Sequence, residues 1–297
     1  MGSVLVIGGI NQDVTVRAER RPAGGETVVG EGPVLSPGGK GANQAVAAAF
    51  VGADVVLCGV VGDDANGQDQ LAQLDRAGVD VGTVRVSTES ATGAALIVLT
   101  GDGENSIVVG AGANALLGAE DVESALARPV DVVLGQTEPG TLAVEAAARE
   151  AARLSLRLVV NAAPAAGLSP ELLRACDPLV VNEHEARDLL REHRGDADVA
   201  PGDLAPALHE LLGCRSVVVS LGADGAWVVQ EAGAVDHVTA PRVVPVDTTG
   251  AGDVLVGVIA ARLSQGATLV AATRDACEHA ATAVTTAGAR GYLTPAS

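Results

Sequence analysis

Aromatic residues are nearly absent from this chain of 297 residues: they make up 1% of it and comprise Phe50, Trp227 and Tyr292. A hydrophobic core must therefore be built from alanine, valine and leucine, and the hydrophobic fraction of 48% suffices for a sizeable one. A bound sugar or nucleobase would have to be held by aliphatic walls and hydrogen bonds, because the chain has too few aromatic rings for stacking.

Long apolar runs and paired cysteines are missing as well. No run of about 18 apolar residues occurs, so no membrane span is expected, and the N-terminal segment lacks the basic leader and the long apolar run of a signal peptide. The four cysteines lie far apart without a C-x-x-C pair, which predicts buried thiols in a reducing compartment and neither a disulfide framework nor a metal site. We therefore expect a cytoplasmic protein.

Positive charge is scarce. The 37 acidic and 19 basic residues give a net charge of −18, which repels nucleic acids and anionic membranes, so neither is expected as a partner. A nucleoside triphosphate is repelled too, and its site would need local donors, helix N-termini and a divalent cation. The histidines show no metal-binding spacing and no Gly-x-Ser-x-Gly motif occurs, so neither a histidine metal site nor hydrolase chemistry has support.

Strand-like apolar runs alternate with helix-like segments along most of the chain. Predicted strands cover 4–7, 55–61, 130–134, 156–160 and 179–181, and predicted helices cover 42–51, 66–77, 142–153 and 183–191. This alternation predicts a single α/β domain over 1–297, with a central, mostly parallel sheet and helices on both faces. Ligands of such folds bind beyond the carboxyl ends of the strands.

Two stretches break this alternation. Strand-like pieces occur at 14–17, 27–29, 94–99 and 106–109, the last two as a predicted hairpin around a turn at 100–104. Strands without intervening helices form either an edge extension of the main sheet or a small projecting sheet. We predict a projecting sheet, contributed by about residues 11–37 and 86–112, which would close over a site as a lid.

The strongest local motif is Asp247-Thr248-Thr249-Gly250-Ala251-Gly252-Asp253. A predicted strand at 243–246 precedes it and a predicted helix at 254–263 follows it. The free N–H groups of the helix's first turn, together with the helix dipole, make Gly250, Ala251 and Gly252 a candidate anion hole. A carboxylate beside bound phosphates suggests proton abstraction from an incoming hydroxyl, so Asp253 is a candidate general base for phosphoryl transfer. Capping of the turn and helix by the two aspartates is the alternative, but it leaves the glycines between them unexplained.

Three further motifs carry weaker signals. The segment Gly38-Gly39-Lys40-Gly41-Ala42-Asn43-Gln44-Ala45 is a second glycine-rich turn into a helix, either a binding loop with Lys40 and Asn43 as donors or a flexible turn. Asn11 and Asp13 follow the first predicted strand and suit hydroxyl recognition. The G-x-G-x-x-A match at 110–115 resembles a dinucleotide fingerprint, but Asp131 starts its strand where the ribose-binding acid should follow one.

Together these motifs resemble the signatures of the PfkB-type carbohydrate kinases, and among them the ribokinase branch. Segments 38–45 and 247–253 are similar to the two family signatures, and 103–105, 111–114, 161–164, 182–185 and 220–225 fall between them in the family's order. The resemblance covers nearly the whole chain. It implies a ribokinase-like fold with a β-sheet lid, and ATP-dependent phosphorylation of D-ribose at its primary hydroxyl to give D-ribose 5-phosphate and ADP.

Other functions remain open beside this one. Within the family they are another sugar or nucleoside kinase: a deoxyribokinase, a fructokinase-like or an adenosine kinase-like enzyme. The scarcity of aromatic residues argues against a nucleoside substrate. Outside the enzymes, a non-catalytic sugar-binding protein on the same scaffold is the alternative, but such a protein has no need for a base at Asp253.

The resemblance also implies roles for single residues. Asp253 would be the base, with Gly250, Ala251 and Gly252 as the anion hole. The implied sugar-binding residues are Asn11, Asp13, Gly39, Lys40, Asn43, Glu138 and Asp253. The implied nucleotide-binding residues are Asn182, Glu185, Ser220, Gly222, Gly225 and Cys277, of which Asn182 and Glu185 would order the shell of Mg²⁺. Asp247, Thr249 and Gly288 would hold a monovalent cation, K⁺, and the lid would pair two subunits into a homodimer.

The chain departs from the family pattern after Gly288. It continues as Ala289-Arg290-Gly291-Tyr292, where the family usually has Gln-Pro-Ser or a similar segment. This departure lies on the far side of the implied cation site. Cys277 is a second departure, since the family often has Asn or His near adenine.

Overall fold

A computed structural model describes residues 2–101 and 105–293. Its strands are β1 (Ser3–Ile7), β2 (Asn11–Ala18), β3 (Glu31–Gly38), β4 (Asp54–Gly62), β5 (Val79–Asp80), β6 (Val84–Ser87), β7 (Gly93–Thr100), β8 (Asn105–Gly110), β9 (Val132–Gln136), β10 (Arg157–Asn161), β11 (Cys176–Asn182), β12 (Val217–Ser220), β13 (Ala226–Val229) and β14 (Val235–Val238). Its α-helices are α1 (Lys40–Phe50), α2 (Ala65–Arg76), α3 (Ala119–Ala125), α4 (Thr141–Leu154), α5 (Pro170–Ala175), α6 (Glu183–Arg194), α7 (Leu204–Leu212), α8 (Ala251–Ser264) and α9 (Leu269–Ala283).

The main sheet has the order β14-β13-β12-β11-β10-β9-β1-β4-β5, with β6 paired to β4. From β12 to β4 all neighbouring strands run parallel, and β13 and β14 add an antiparallel edge. One hydrophobic cluster packs α3 to α7 on one face, and a second packs α1, α8 and α9 on the other. Both consist almost entirely of Ala, Val, Leu and Ile, as the composition requires. The predicted α/β fold with helices on both faces is confirmed.

A second, smaller sheet has the order β3-β2-β7-β8 and is separate from the main sheet. Its strands come from the two stretches that break the βα alternation, so the projecting sheet is correct and the edge extension is wrong. The tip of the predicted hairpin turn, residues 102–104, lies outside the described residues. Strand β2 begins at Asn11, soon after β1 ends at Ile7, so this sheet starts at the carboxyl edge of the main one.

Two predicted strands are wrong. Residues 243–246 form no strand, because Pro241 and Pro245 have no N–H to donate to a ladder; Val244 is 86% exposed there. Residues 27–29 belong to an exposed loop, and the second strand of the small sheet is β3 instead. Both segments had the apolar composition of a strand but lacked a neighbour with which to pair.

Within residues 2–101 and 105–293, no helix has the length and hydropathy that a membrane span requires. All four cysteines, Cys58, Cys176, Cys214 and Cys277, are buried free thiols, as their spacing predicts.

Candidate active site

The parallel strands direct their polar residues to one edge of the main sheet. Asn11 follows β1 and Glu138 follows β9, while Asn182 and Ser220 end the adjacent strands β11 and β12, where they are register partners. The first turns of α1 and α8 meet the same edge, because Asn43 of α1 is hydrogen-bonded to Asp253 of α8. The carboxyl edge therefore gathers most of the predicted site residues, as expected for an open α/β sheet.

Asp253 lies in the first turn of α8 and is 7% exposed. Its Oδ2 accepts a hydrogen bond from Asn43 Nδ2 at 3.0 Å, and its Oδ1 accepts one from Gln44 Nε2, also at 3.0 Å. The dipole at a helix N-terminus favours a negative charge at this position. The carboxylate is thus held by two amides, and each of its oxygens keeps a lone pair that can accept a proton.

The turn before Asp253 has the properties of an anion hole. Gly250 caps α8 with a positive φ of 78°, a conformation that glycine adopts without strain. Among the described residues, the N–H groups of Gly252 and Asp253 have no acceptor, whereas the N–H of Ala251 bonds to Thr248 O at 3.3 Å. A side chain added at Gly252 would meet no atom within 4 Å. The free donors therefore face open space.

Most of the predicted sugar-binding residues are hydrogen-bonded to one another, Asn11 and Lys40 through Glu138, and Asn43 to Asp253. Glu138 accepts from Asn11 Nδ2 at 3.3 Å through Oε1, and from the backbone N–H of Lys40 at 2.8 Å through Oε2. Gly39 is the N-cap of α1 with φ of 88°, and a Cβ there would lie 2.7 Å from the backbone nitrogen of Asn11, so the loop packs too closely for a side chain. Only a glycine-rich segment brings α1 this close to the end of β1.

The surroundings of this site shift the pKa values of its acidic and basic side chains. Partial burial, reinforced by Asp253 and opposed by Arg290, raises the pKa of Asp13 to about 6. Burial likewise raises the pKa of Glu138. Burial alone would lower the pKa of Lys40, but Asp253, Glu138 and other acids around it raise it above its ordinary value. Lys40 therefore carries a positive charge at neutral pH and is surrounded by acidic side chains. The Asp13 carboxyl group, in contrast, titrates near pH 6.

Four of the six predicted nucleotide-binding residues line a cavity of about 280 Å³. Ser220, Gly222, Gly225 and Cys277 border it, together with Ala251 and Gly252 of the anion hole. The remaining walls are largely small and aliphatic, with no aromatic ring among the lining residues. Burial raises the pKa of the Cys277 thiol to about 11, so this side chain is a neutral wall at physiological pH. The cavity thus continues directly into the turn that precedes Asp253.

Asn182 and Glu185 lie outside this cavity and form the capping box of α6. Asn182 Oδ1 accepts from the Glu185 N–H at 2.9 Å, and Glu185 Oε2 accepts from the Asn182 N–H at 2.8 Å. Glu185 Oε1 has no hydrogen bond among the described residues. Mg²⁺ keeps several waters and binds one or two carboxylates plus substrate phosphates. One free carboxylate oxygen near Lys40 fits that mode, and no preformed cluster of three metal-binding side chains occurs within the described ranges.

The residues implied for a monovalent cation are brought together by Asp247. Its Oδ1 accepts from the Thr249 N–H at 2.9 Å, and its Oδ2 accepts from the Gly288 N–H at 2.9 Å. A carboxylate is an oxygen donor of the kind that a hard cation prefers, and Asp247 brings the backbone of Thr249 and Gly288 to it. The bond from Gly288 ties the segment after α9 to the loop before α8.

Several polar residues that contact the site were not predicted. Gln44 bonds to both Asp253 and Asn161 at 3.0 Å, and Asn114 donates to Asn11 Oδ1 at 2.7 Å. Arg290 donates to Asn43 Oδ1 at 2.9 Å. Gln44, Asn114 and Asn161 belong to the recognised motifs, so their place in those motifs was an available signal. The 3₁₀ helix Gly112–Leu116 also shows that the G-x-G-x-x-A match holds Asn114 against Asn11 and opens no dinucleotide-binding helix.

Known proteins are similar to this chain in sequence and in fold. The sequence profile of the pfkB family carbohydrate kinases matches residues 1–296. The chain is 37% identical to the ribokinase of Bacillus subtilis (strain 168) over 302 residues, which cover 99% of this chain and 96% of that protein. It is 36% identical to the ribokinase of Schizosaccharomyces pombe over 290 residues, which cover 95% and 90% respectively.

A solved structure extends the likeness to the fold. The structure of Arabidopsis thaliana ribokinase complexed with ribose and ATP matches with a TM-score of 0.85 and 28% identity, covering 98% of this chain and 96% of that one. The resemblance drawn from the motifs is confirmed over nearly the whole chain. The chain belongs to the pfkB family of carbohydrate kinases, as a ribokinase-like, ATP-dependent sugar kinase.

Proposed function

We propose that the protein transfers the γ-phosphoryl group of ATP to the primary hydroxyl of D-ribose, giving D-ribose 5-phosphate and ADP. The observation that carries this proposal is the position of Asp253, a buried carboxylate between the anion hole and the amides of the sugar network. The relatives named ribokinase, and the one complexed with ribose and ATP, support ribose as the acceptor.

In this reaction Asp253 removes the proton of the sugar hydroxyl as its oxygen attacks the γ-phosphorus. Asn11, Asp13, Gly39, Lys40, Asn43 and Glu138 bind the sugar. The free N–H groups of Gly252 and Asp253, at the Gly250-Ala251-Gly252 turn, stabilise the charge that develops on the phosphoryl oxygens. Ser220, Gly222, Gly225 and Cys277 border the nucleotide, whose adenine is held by aliphatic contacts.

Two cations complete the proposed site. Asn182 and Glu185 would hold the water shell of an Mg²⁺ ion, which would supply positive charge against the phosphates of ATP. Asp247, Thr249 and Gly288 would hold a monovalent cation, K⁺. The Oε1 of Glu185, unbonded among the described residues, supports the Mg²⁺ site, and the bonds that join Thr249 and Gly288 to Asp247 support the K⁺ site, which adjoins the departure after Gly288.

The small sheet serves as the lid and as a dimer interface. Strand residues alternate between faces, so Asn11 and Asp13 point to the sugar network while Val14 points the other way. Leu35, Val14, Leu96 and Val108 are register partners in a row across that outer face. Leu35, Leu96 and Val108 are each more than half exposed. An apolar row of this kind favours contact with a second copy of the chain.

The proposal is tested by ADP release from Mg-ATP with ribose, deoxyribose, fructose and adenosine, each with and without K⁺. We expect turnover on ribose, increased by K⁺. Turnover on another acceptor alone would replace ribose as the substrate, and sugar binding without any ADP release would identify a binding protein.

The Asp253→Asn variant tests the base. We expect kcat on ribose to fall by about 10²–10⁴-fold, the usual contribution of general-base catalysis, while calorimetry shows ribose binding retained. Asp69→Asn is the matched control, because Asp69 is exposed on α2 and its side chain bonds, within the described part of the chain, only to Gln73. Near-normal turnover by Asp253→Asn would assign the base to another group.

A further inference from the structure

The segment after Gly288 places an arginine against the sugar network. Arg290 precedes the 3₁₀ helix Gly291–Leu293 and is partly buried. Its Nε donates to Asn43 Oδ1 at 2.9 Å, and its Nη2 donates to Gly38 O at 3.4 Å. Burial lowers its pKa to about 10, so the guanidinium stays charged at neutral pH. Arg290 therefore contacts two residues of the first glycine-rich motif, Gly38 and Asn43.

The hydrogen bond to Asn43 decides which way its amide points. A guanidinium is only a donor, so it must face the amide oxygen, and this turns the NH₂ group of Asn43 toward Asp253 Oδ2 at 3.0 Å. Rotation of the amide by 180° would set its oxygen against the carboxylate. Arg290 thus fixes the orientation of the Asn43 NH₂ group, which donates to Asp253.

The other oxygen of Asp253 is held in a parallel way. Gln44 Nε2 bonds to Asp253 Oδ1 and to Asn161 Oδ1, both at 3.0 Å. Asn161 is fixed in turn by a bond from its Nδ2 to Val180 O at 3.1 Å. Each amide on the carboxylate therefore has its own outer partner, Asn161 for Gln44 and Arg290 for Asn43.

Arg290 also places positive charge beside the acids of the site. It forms no ion pair with any carboxylate in residues 2–101 and 105–293, but it interacts through space with Asp13 and Asp253. Gly250 brings the segment close, because a Cβ there would lie 2.8 Å from Ala289 Cα. The segment that carries Arg290 therefore packs against the turn that forms the anion hole.

We propose that Arg290 is a positioning residue for phosphoryl transfer: its guanidinium orients the Asn43 amide, which in turn holds the Asp253 carboxylate for proton abstraction. This inference rests on the proposed role of Asp253 as the base. The residue acts through Asn43 and need not touch the reacting atoms. Displacement of a catalytic group by about 1 Å can cost 10²-fold in rate, so its loss reduces kcat more than sugar affinity.

The test compares Arg290→Ala and Arg290→Lys with the wild-type protein, on the acceptor that turns over best. We expect Arg290→Ala to lower kcat by about 10²-fold, the cost of a misplaced catalytic group, with little change in KM for the sugar. The kcat of Arg290→Lys should lie between those of the wild-type protein and Arg290→Ala, because lysine keeps the positive charge without the planar guanidinium group. Added guanidinium ion at millimolar concentration should restore part of the kcat of Arg290→Ala. A rise in KM at unchanged kcat would overturn the proposal, since Arg290 would then bind the sugar directly.

Arg262→Ala is the matched control. Arg262 is also a partly buried arginine, bonded to Asp275, Val51 O and Gln265 at the far end of α8. It should lower the free energy of unfolding but leave kcat unchanged, and guanidinium should not raise its kcat. An equal loss of kcat in both variants would mean that Arg290 is merely structural.

A crystal structure of Arg290→Ala gives a readout that does not depend on turnover. We expect the Asn43 amide to turn away from the Asp253 carboxylate, which breaks the 3.0 Å hydrogen bond between Asn43 Nδ2 and Asp253 Oδ2. An unchanged hydrogen bond would overturn the role of Arg290. Absence of sugar phosphorylation by the wild-type protein would instead reject the proposed function and leave the crystallographic result to decide the positioning role.

Discussion

Asp13 lies in a place that disfavours its own charge, and this should appear in the pH dependence of sugar phosphorylation. Its pKa is raised to about 6, chiefly by burial. A sugar hydroxyl donates its hydrogen bond to the ionised form, so kcat/KM for the sugar should rise as the pH increases through about 6. Initial rates between pH 5 and 8 at saturating ATP measure this. The rise should vanish in Asp13→Asn, and a rise that persists there would assign the titration to another acid.

The same carboxyl group should reduce the stability of the unliganded protein. The folded-state pKa of about 6 lies above the ordinary value of 3.8, so folding favours the protonated form. The unfavourable contribution is therefore full above pH 6 and disappears as the pH falls toward 3.8. We expect Asp13→Asn to raise the free energy of unfolding at pH 8 while weakening sugar binding. Urea denaturation at pH 8 and pH 4 checks the sign, and an equal effect at both values would contradict it.

At the scale of elements, a methyl group added at the N-terminus of α8 should leave the fold intact but weaken the use of ATP. A Cβ at Gly252 meets no protein atom within 4 Å, and no positive φ demands glycine there. Gly252→Ala should therefore fold with unchanged thermal stability, yet fill the space in front of the free N–H groups and raise KM for ATP.

Gly24→Ala is the matched control for this substitution. A Cβ at Gly24 also meets no atom within 4 Å, and the residue lies in an exposed loop of the small-sheet region. It should change neither stability nor KM for ATP. Unchanged ATP kinetics in Gly252→Ala would remove this turn from the nucleotide site.

Elements with a clear period were predictable from the sequence, and local chemistry explains where prediction failed. The helices of the βα units match their amphipathic segments within a few residues, whereas 243–246 has strand composition but contains Pro245. The site was predictable where glycine-rich turns carry it. Its hydrogen-bond partners were not, because Asn43 and Asp253 are 210 residues apart, and Arg290 and Asn43 are 247 apart. The cytoplasmic location stays a prediction.

For the whole molecule, the small sheet should set the oligomeric state. Replacing both Leu96 and Val108 with Glu places two charges in the exposed apolar row and should convert a dimer into a monomer. Sedimentation equilibrium measures the mass. Leu142→Glu is the matched control, since Leu142 is 77% exposed on α4 and away from that sheet. A double variant that stays dimeric would place the interface elsewhere. A monomeric wild-type protein would mean that this sheet forms no such interface.

Because aromatic residues are scarce, tryptophan fluorescence reports on a single position in this protein. Trp227, the single tryptophan, stacks on His237 with ring centroids 4.5 Å apart and planes inclined by 19°. His237 is hydrogen-bonded to Asp224 O at 3.0 Å, within the loop whose glycines border the nucleotide cavity. Indole emission therefore comes from one place, linked through His237 to the loop beside the bound nucleotide. A fluorescence titration with ATP, excited where tyrosine does not absorb, would follow the surroundings of Trp227 without a label.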